Sequence, residues 1–487
     1  MQGGISSRAY SNRQAFLRYQ EERRRHWDSV ACRQDHWSSR GTFYHERVSE
    51  IYRYLVPPGQ RVLEIGCGAG DLLAALQPAE GVGIDFSAEM IRRAEKKYPH
   101  LGFVRCDAHD IGLNGQFDVI ILSDLVNDLW DVQAVMSQLG PFCSSGTRVI
   151  INTYSRVWEL PLLLAQKRGL STPLLPQNWL TMEDICNLLR LADYEDIRHF
   201  NEILWPMKTP ILADLFNRYL VKLWPLSCLS LANFIIARKR PEKKADDPAP
   251  LASVVVPARN EAGNIEEILE RIPEMGAGTE IVFVEGNSQD NTCEAIEQAI
   301  ARHPERRCRL LRQTGKGKGD AVRLGFQEAS GDILMILDAD MTVPPEDLPR
   351  FFEALRSGEG EFINGVRLVY PMEKEAMRYA NLLGNKFFSL AFSWLLGQPI
   401  KDTLCGTKVL SREHYGKIVK NRSYFGDFDP FGDFDLLFGA AKLNLKIVEM
   451  PIRYRERRYG YTNIDRWRHG MILLRMVLFA LKRIKFF

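Results

Sequence analysis

No CxxC cysteine pair, internal repeat or low-complexity tract occurs in this 487-residue chain, and its two most apolar late stretches fall far short of the ~20 residues that cross a bilayer. The nine cysteines are scattered without regular spacing, so reduced thiols in a cytoplasmic protein are expected. Met1 to Trp37 is polar and arginine-rich and lacks the apolar segment of a cleavable signal peptide. Net charge is only +3, and no nucleic acid is expected among its partners. What is present is ordinary for a folded chain: 45% hydrophobic and 26% charged residues. The length exceeds one ordinary core and favours two to three units.

The small net charge hides an asymmetry. From Pro451 to Phe487 ten Lys/Arg face two acids, a tail of +8, and the rest of the chain sums to −5. These charges interleave with MILLRMVLFAL, which suggests an amphipathic segment for a membrane surface rather than a merely solvated helix face. Arg238 to Pro250 holds three prolines, mixed charge and no apolar residue larger than alanine apart from those prolines. It predicts a linker at 241–250 between a domain over 1–240 and one over 251–487. On both sides short Val/Ile/Leu runs alternate with longer amphipathic stretches, the βαβ pattern of a parallel sheet.

In the first half, apolar Arg61 to Ile65 runs into Gly66-Cys67-Gly68-Ala69-Gly70. Glycines are needed where a backbone turns tightly and approaches a ligand. About twenty residues on, GVGID ends in Asp85, where a ribose hydroxyl would be held. The dinucleotide fingerprint fails, because Asp71 occupies the position of its third glycine. Across Val62 to Leu139 the pattern closely resembles the class I S-adenosylmethionine-dependent methyltransferases. The resemblance implies that Glu64, Gly66, Gly68 and Gly70 form the first cofactor motif. It further implies that Asp85 binds ribose, that Asp107, after FVRC, reaches the adenine amine, and that Asp124, after FDVIILS, faces the methyl group. Tyr44, His45, Asn127 and Asp128 are candidates for the acceptor side. Leu204 to Leu231, rich in Trp, Leu and Pro, reads as a membrane-facing insertion or a packed helix pair.

In the second half, SVVVP leads into Ala258-Arg259-Asn260-Glu261, and EIVFVE into Gly286-Asn287-Ser288-Gln289-Asp290-Asn291-Thr292. GKGKGD places Lys316 and Lys318 on a turn that could pass close to phosphates. Asp338 and Asp340 follow another apolar strand, where alternation would project them together. Two hard oxygen ligands suit Mg2+ or Mn2+ bridging a nucleotide diphosphate. Over Leu251 to Asn463 this half resembles family-2 glycosyltransferases of GT-A fold, most of all the dolichyl- or polyprenyl-phosphate sugar transferases. The resemblance implies that Pro257, Glu261 and Glu285 surround the nucleotide base, with Arg259 where a tyrosine is usual. Asp338 and Asp340 fall on its metal pair, Thr342 where glutamine is common, and Arg457 on an arginine that contacts phosphate. Asn463 stands in place of a lysine.

The expected class is therefore α/β with two domains: a Rossmann-like methyltransferase sheet, then a GT-A fold, the nucleotide-diphospho-sugar transferase architecture. Expected cofactors are S-adenosylmethionine and Mg2+ or Mn2+. The expected partners are a nucleotide-sugar donor, a polyprenyl phosphate or related glycolipid acceptor, and the inner face of a membrane. Two readings of the sugar acceptor remain open. A hydroxyl needs a carboxylate base, for which Asp433 and Asp435 are the candidates, whereas a lipid phosphate arrives ionised. Phe387 to Leu396 and Met471 to Leu481, as in-plane helices, favour the lipid. The methyltransferase half alternatively serves only as a scaffold that binds S-adenosylmethionine.

Overall fold

The computed structural model describes residues 3–37, 42–168, 174–241, 248–367, 379–424, 432–455, 457, 459 and 466–486. The chain divides into two compact units, Met1–Arg240 and Pro241–Phe487. Most of the expected linker (242–247), Phe431, and the stretch around Asn463 lie outside the described residues.

The first unit is built on seven strands: β1 (Arg61–Ile65), β2 (Glu80–Asp85), β3 (Gly102–Arg105), β4 (Phe117–Ser123), β5 (Cys143–Tyr154), β6 (Tyr194–Glu202) and β7 (Ala232–Lys239). They lie in the order β3-β2-β1-β4-β5-β7-β6. β1 to β5 pair in parallel, and β7 is antiparallel to both β5 and β6. A sheet covered on both faces needs continuous apolar strands, and Val119 to Leu122 are buried accordingly. Parallel pairing brings the C-terminal ends of β1 to β4 to one edge, and the sequence-selected acids cluster there. The 204–231 segment forms short turns (Leu212–Asp214, Leu215–Tyr219, Leu220–Lys222, Leu226–Leu229) rather than a helix pair. Pro206, Pro210 and Pro225 interrupt any longer helix.

The second unit contains β8 (Ala252–Ala258), β9 (Thr279–Glu285), β10 (Arg307–Arg312), β11 (Ile333–Ile336), β12 (Phe362–Val366), β13 (Lys408–Ser411) and β14 (Ile447–Pro451). Their order is β10-β9-β8-β11-β13-β12-β14. β13 runs antiparallel between β11 and β12, and the other pairings are parallel. Apolar layers cover both faces. Helices Tyr379–Leu396 and Arg466–Ala480 extend one layer through Phe392, Leu396, Leu473, Met476 and Ala480. Their other sides expose Phe387, Leu390 and Trp394, and Met471, Leu474 and Leu478, at helical spacing. Among the described residues no helix is long and apolar enough to cross a membrane.

Candidate functional site

In each unit sequence-selected residues gather at the C-terminal edge of the parallel strands. In the first, Gly66, Gly68 and Gly70 have φ of 75°, 52° and 79°, a region that side chains disfavour. The turn is pinned to β2, since the Gly66 and Cys67 amides both donate to the Ile84 carbonyl, at 2.8 and 2.9 Å. A Cβ on Gly68 would meet nothing within 4 Å, so this glycine borders open space. Asp85 accepts from the Gly68 amide at 3.0 Å and from the Ser87 amide at 2.8 Å. Burial nevertheless raises its pKa to about 6. Glu64 is 3% exposed, its Oε2 has no hydrogen-bond partner, and burial pushes its pKa to about 8. Asp124 sits just past β4 with φ 52°, accepting from Tyr44 Oη at 2.8 Å and Asn152 Nδ2 at 2.6 Å. Burial raises it to about 7. His45, by contrast, is exposed.

The helix Gly3–Trp37 crosses this edge. Gln20 Nε2 donates to Asp107 Oδ2 at 2.7 Å, and His109 closes on Asp107 Oδ1 at 2.8 Å. Burial alone would raise Asp107; the His109 and Gln20 bonds prevail and hold it below the usual range. Farther along the helix, Trp27 Nε1 donates to Asp128 Oδ2 at 2.8 Å and Arg23 Nε lies 2.8 Å from Asp128 Oδ1. Asp28 accepts from Ser87 Oγ at 2.5 Å. One helix therefore touches the ends of β2, β3 and β4. The open turn, the buried acids and the unpartnered Glu64 oxygen suit a cationic nucleoside ligand such as S-adenosylmethionine.

In the second unit β11 ends at Ile336, so Asp338 and Asp340 lie in the turn beyond it. Strand alternation does not align them; cations brought from elsewhere do. Lys318 Nζ lies 2.6 Å from Asp338 Oδ1. Despite burial, Lys318 and the more distant Lys408 and Arg367 hold the Asp338 carboxyl below its usual pKa. Arg457 bridges Asp340 Oδ2 at 3.0 Å and Glu261 Oε1 at 2.8 Å. Thr342 donates its amide and hydroxyl to Asp340 Oδ1, at 3.1 and 2.7 Å. Burial, partly offset by Arg457, raises Glu261 to about 7. Asn264 ties the group together, donating to Glu261 Oε2 at 2.8 Å and the Ala339 carbonyl at 3.0 Å. Gly406 is required sterically, because a Cβ there would overlap both the Asp338 carboxylate and the Lys318 ammonium. Two partly exposed carboxylates with hard oxygens suit a divalent cation, whose charge Lys318 and Arg457 now supply.

Among the remaining sequence-selected residues, Asp433 is within electrostatic reach of Lys318, and its neighbour Gly432 packs on Gly319. Glu285 is buried and accepts from the Ser288 amide at 2.6 Å; Pro257 is half-buried; Arg259 and Lys316 are exposed. Asp433 lies 3.4 Å from Lys408 Nζ, and this fully buried lysine also donates to the Cys405 carbonyl at 2.5 Å. Asp435 lies 2.7 Å from Arg422 Nη2. Arg367 forks onto Asp402 at 2.7 and 2.9 Å. Gln20, Asn152, Lys408, Arg422 and Asp402 were not selected from sequence. Each meets its partner across long chain separations, which spacing does not encode.

Residues 36–199 match the model of a methyltransferase domain, and residues 253–419 that of glycosyl transferase family 2. The chain thus joins a methyltransferase domain to a family 2 glycosyltransferase domain. The dolichol-phosphate mannosyltransferase of Pyrococcus furiosus is 39% identical over 108 residues, 22% of this chain and 30% of that protein. Glycosyltransferase AglJ of Haloferax volcanii is 29% identical over 222 residues, covering 45% and 68%. The undecaprenyl-phosphate 4-deoxy-4-formamido-L-arabinose transferase of Edwardsiella ictaluri is 27% identical over 212 residues, covering 43% and 61%. The chain spans between about a third and two thirds of the length of these relatives.

Proposed function

We propose that the second unit transfers a sugar from a nucleotide-sugar to a polyprenyl phosphate at the cytoplasmic face of a membrane. The observation that carries this is the turn after β11, where Asp338 and Asp340 are each neutralised by a cation from elsewhere in the chain. Asp338 and Asp340 would hold Mg2+ or Mn2+, which when bound withdraws charge from a departing nucleoside diphosphate. Lys318 and Arg457 then have phosphate oxygens as alternative partners. Glu261, Glu285 and Pro257 border the pocket for the base, with Arg259, Lys316 and Thr342 at its margin. An ionised phosphate acceptor attacks from the opposite face without a general base, inverting the anomeric centre. Supporting that choice, Asp435 is already paired with Arg422 at 2.7 Å. The exposed apolar stripes of the two late helices suit the lipid that carries the phosphate.

In the first unit, the turn Gly66–Gly70, Asp85, Asp107 and Glu64 would hold S-adenosylmethionine, which supplies the methyl group. Asp124, positioned by Tyr44 and Asn152, borders the acceptor side. Its elevated pKa suits a group that takes a proton from an acceptor hydroxyl near neutrality. The acceptor is then the transferred sugar, its lipid-linked product or a related precursor. The test is to incubate the enzyme with membranes, S-adenosylmethionine and a panel of nucleotide-sugars, and identify labelled lipids by mass spectrometry. Label appearing only in lipid-free glycan would refute the lipid-phosphate acceptor.

A further inference from the structure

In the first unit, the connection between β6 and β7 buries polar groups beside the apolar Ile203, Leu204, Ala213, Val221 and Leu231. Asn217, 3% exposed, accepts from the Leu204 and Trp205 amides at 2.9 and 2.7 Å and donates to the Trp205 carbonyl at 2.7 Å. Beneath it Lys222 pairs with Glu202, both buried. The exterior carries further large apolar side chains: Ile211 is 82% exposed, Trp224 83% and Leu229 52%. A buried polar scaffold costs free energy unless its partners are fixed, so this arrangement is a built platform rather than a loose loop. Ile211 adds a second mark. Its φ is 68°, a conformation a β-branched residue adopts only when its surroundings impose it.

A neighbouring segment continues the same face. Trp158 Nε1 donates to the Leu229 carbonyl at 2.8 Å, and the Ser155 amide to the Leu231 carbonyl at 2.7 Å. The helix that follows, Glu159–Lys167, exposes Leu160, Leu163 and Leu164 at 72%, 43% and 51%. On these segments Arg156, Lys167, Arg168, Lys208 and Arg218 are exposed, against Glu159 and Asp214, with Glu46 3.8 Å from Lys208 and Asp184 within electrostatic reach of Arg156, so cations remain in excess by one. Both segments leave the sheet edge that bears Asp124, whose amide donates to the Asn152 carbonyl on β5 at 3.1 Å. Tryptophan and leucine projecting outward, with cations in excess, match the interface of a bilayer containing anionic lipid.

We propose that this platform docks the methyltransferase unit itself on an anionic lipid surface, so that its methyl acceptor is presented from the membrane. The surface belongs to a different unit from the late amphipathic helices and is tested separately from them. Cys228 is exposed within the platform and takes a fluorophore of environment-sensitive emission, in a Cys32→Ser background with the label located by peptide mapping. The full chain is then mixed with vesicles of phosphatidylcholine and phosphatidylglycerol in equal parts, with vesicles of phosphatidylcholine alone, and with buffer. The expected result is a blue shift and a several-fold rise in emission with the anionic vesicles. Added salt should weaken the change, and Ile211→Asp with Trp224→Asp should abolish it. Unchanged emission with anionic vesicles overturns the proposal. If the chain still sediments with them, the membrane contact of the sugar-transferring unit stands by itself. A shift without lipid that grows with protein concentration also overturns it, by assigning the face to a second copy of the chain.

Discussion

Replacing Glu64 by glutamine should remove a pH dependence of stability that the first unit carries. Burial raises the Glu64 pKa from 4.5 to about 8. The folded unit therefore holds a proton that the unfolded chain releases across that interval. A carboxyl raised in this way contributes stability that is fully present below its unfolded pKa and lost as pH rises through its folded one. At about 1.4 kcal/mol per pKa unit, the loss between pH 4.5 and 8 has a ceiling of roughly 5 kcal/mol. Glutamine mimics the protonated form, so Glu64→Gln should match the parent near pH 5 and exceed it above pH 8. Hydrogen exchange of the full chain, followed by mass spectrometry for peptides spanning β1 and β2, reads the local opening free energy. If parent and variant lose protection with the same slope between pH 5 and 8.5, the burial argument is wrong.

Three further outcomes are expected. Ile211→Gly relieves a β-branched residue held at φ 68° and ψ −50° and should stabilise the first unit by about 1 kcal/mol in thermal unfolding, while weakening vesicle binding; a lower melting temperature would contradict the strain. Gly406→Ala should depress sugar transfer at least tenfold through displacement of Asp338 and Lys318, yet leave S-adenosylmethionine binding in calorimetry unchanged. Asp435→Asn keeps the shape of the Arg422 contact, so transfer to a phosphate acceptor should fall by less than about threefold in folded protein; loss of nearly all activity would instead mark a hydroxyl acceptor and a catalytic base.

Much of this was legible in the sequence because strands and glycine turns are local features. Four strands of the first parallel sheet, the turn after β1 and the acids closing β2 and β4 all follow from short-range pattern. The same holds for the turn acids after β11, although the strand stops two residues before Asp338. What escaped was the set of counter-charges. Lys408 on β13 reaches Asp433 at the start of the helix Asp433–Lys442, and Gln20 reaches Asp107 from 87 residues away. No periodicity announces either. The connection between β6 and β7 was half visible: its Trp, Leu and Pro content signalled something unusual, but the buried Asn217 and Lys222 within it appear only in three dimensions.

The account depends most on Asp338 and Asp340 gripping a divalent ion for the leaving diphosphate. The direct measurement is sugar transfer to polyprenyl phosphate by Asp338→Asn with Asp340→Asn, with Mn2+ present and after chelation. Transfer should vanish in the variant and, for the parent, on chelation, while binding of S-adenosylmethionine persists in both proteins. Full transfer by the chelated double variant would contradict the metal role.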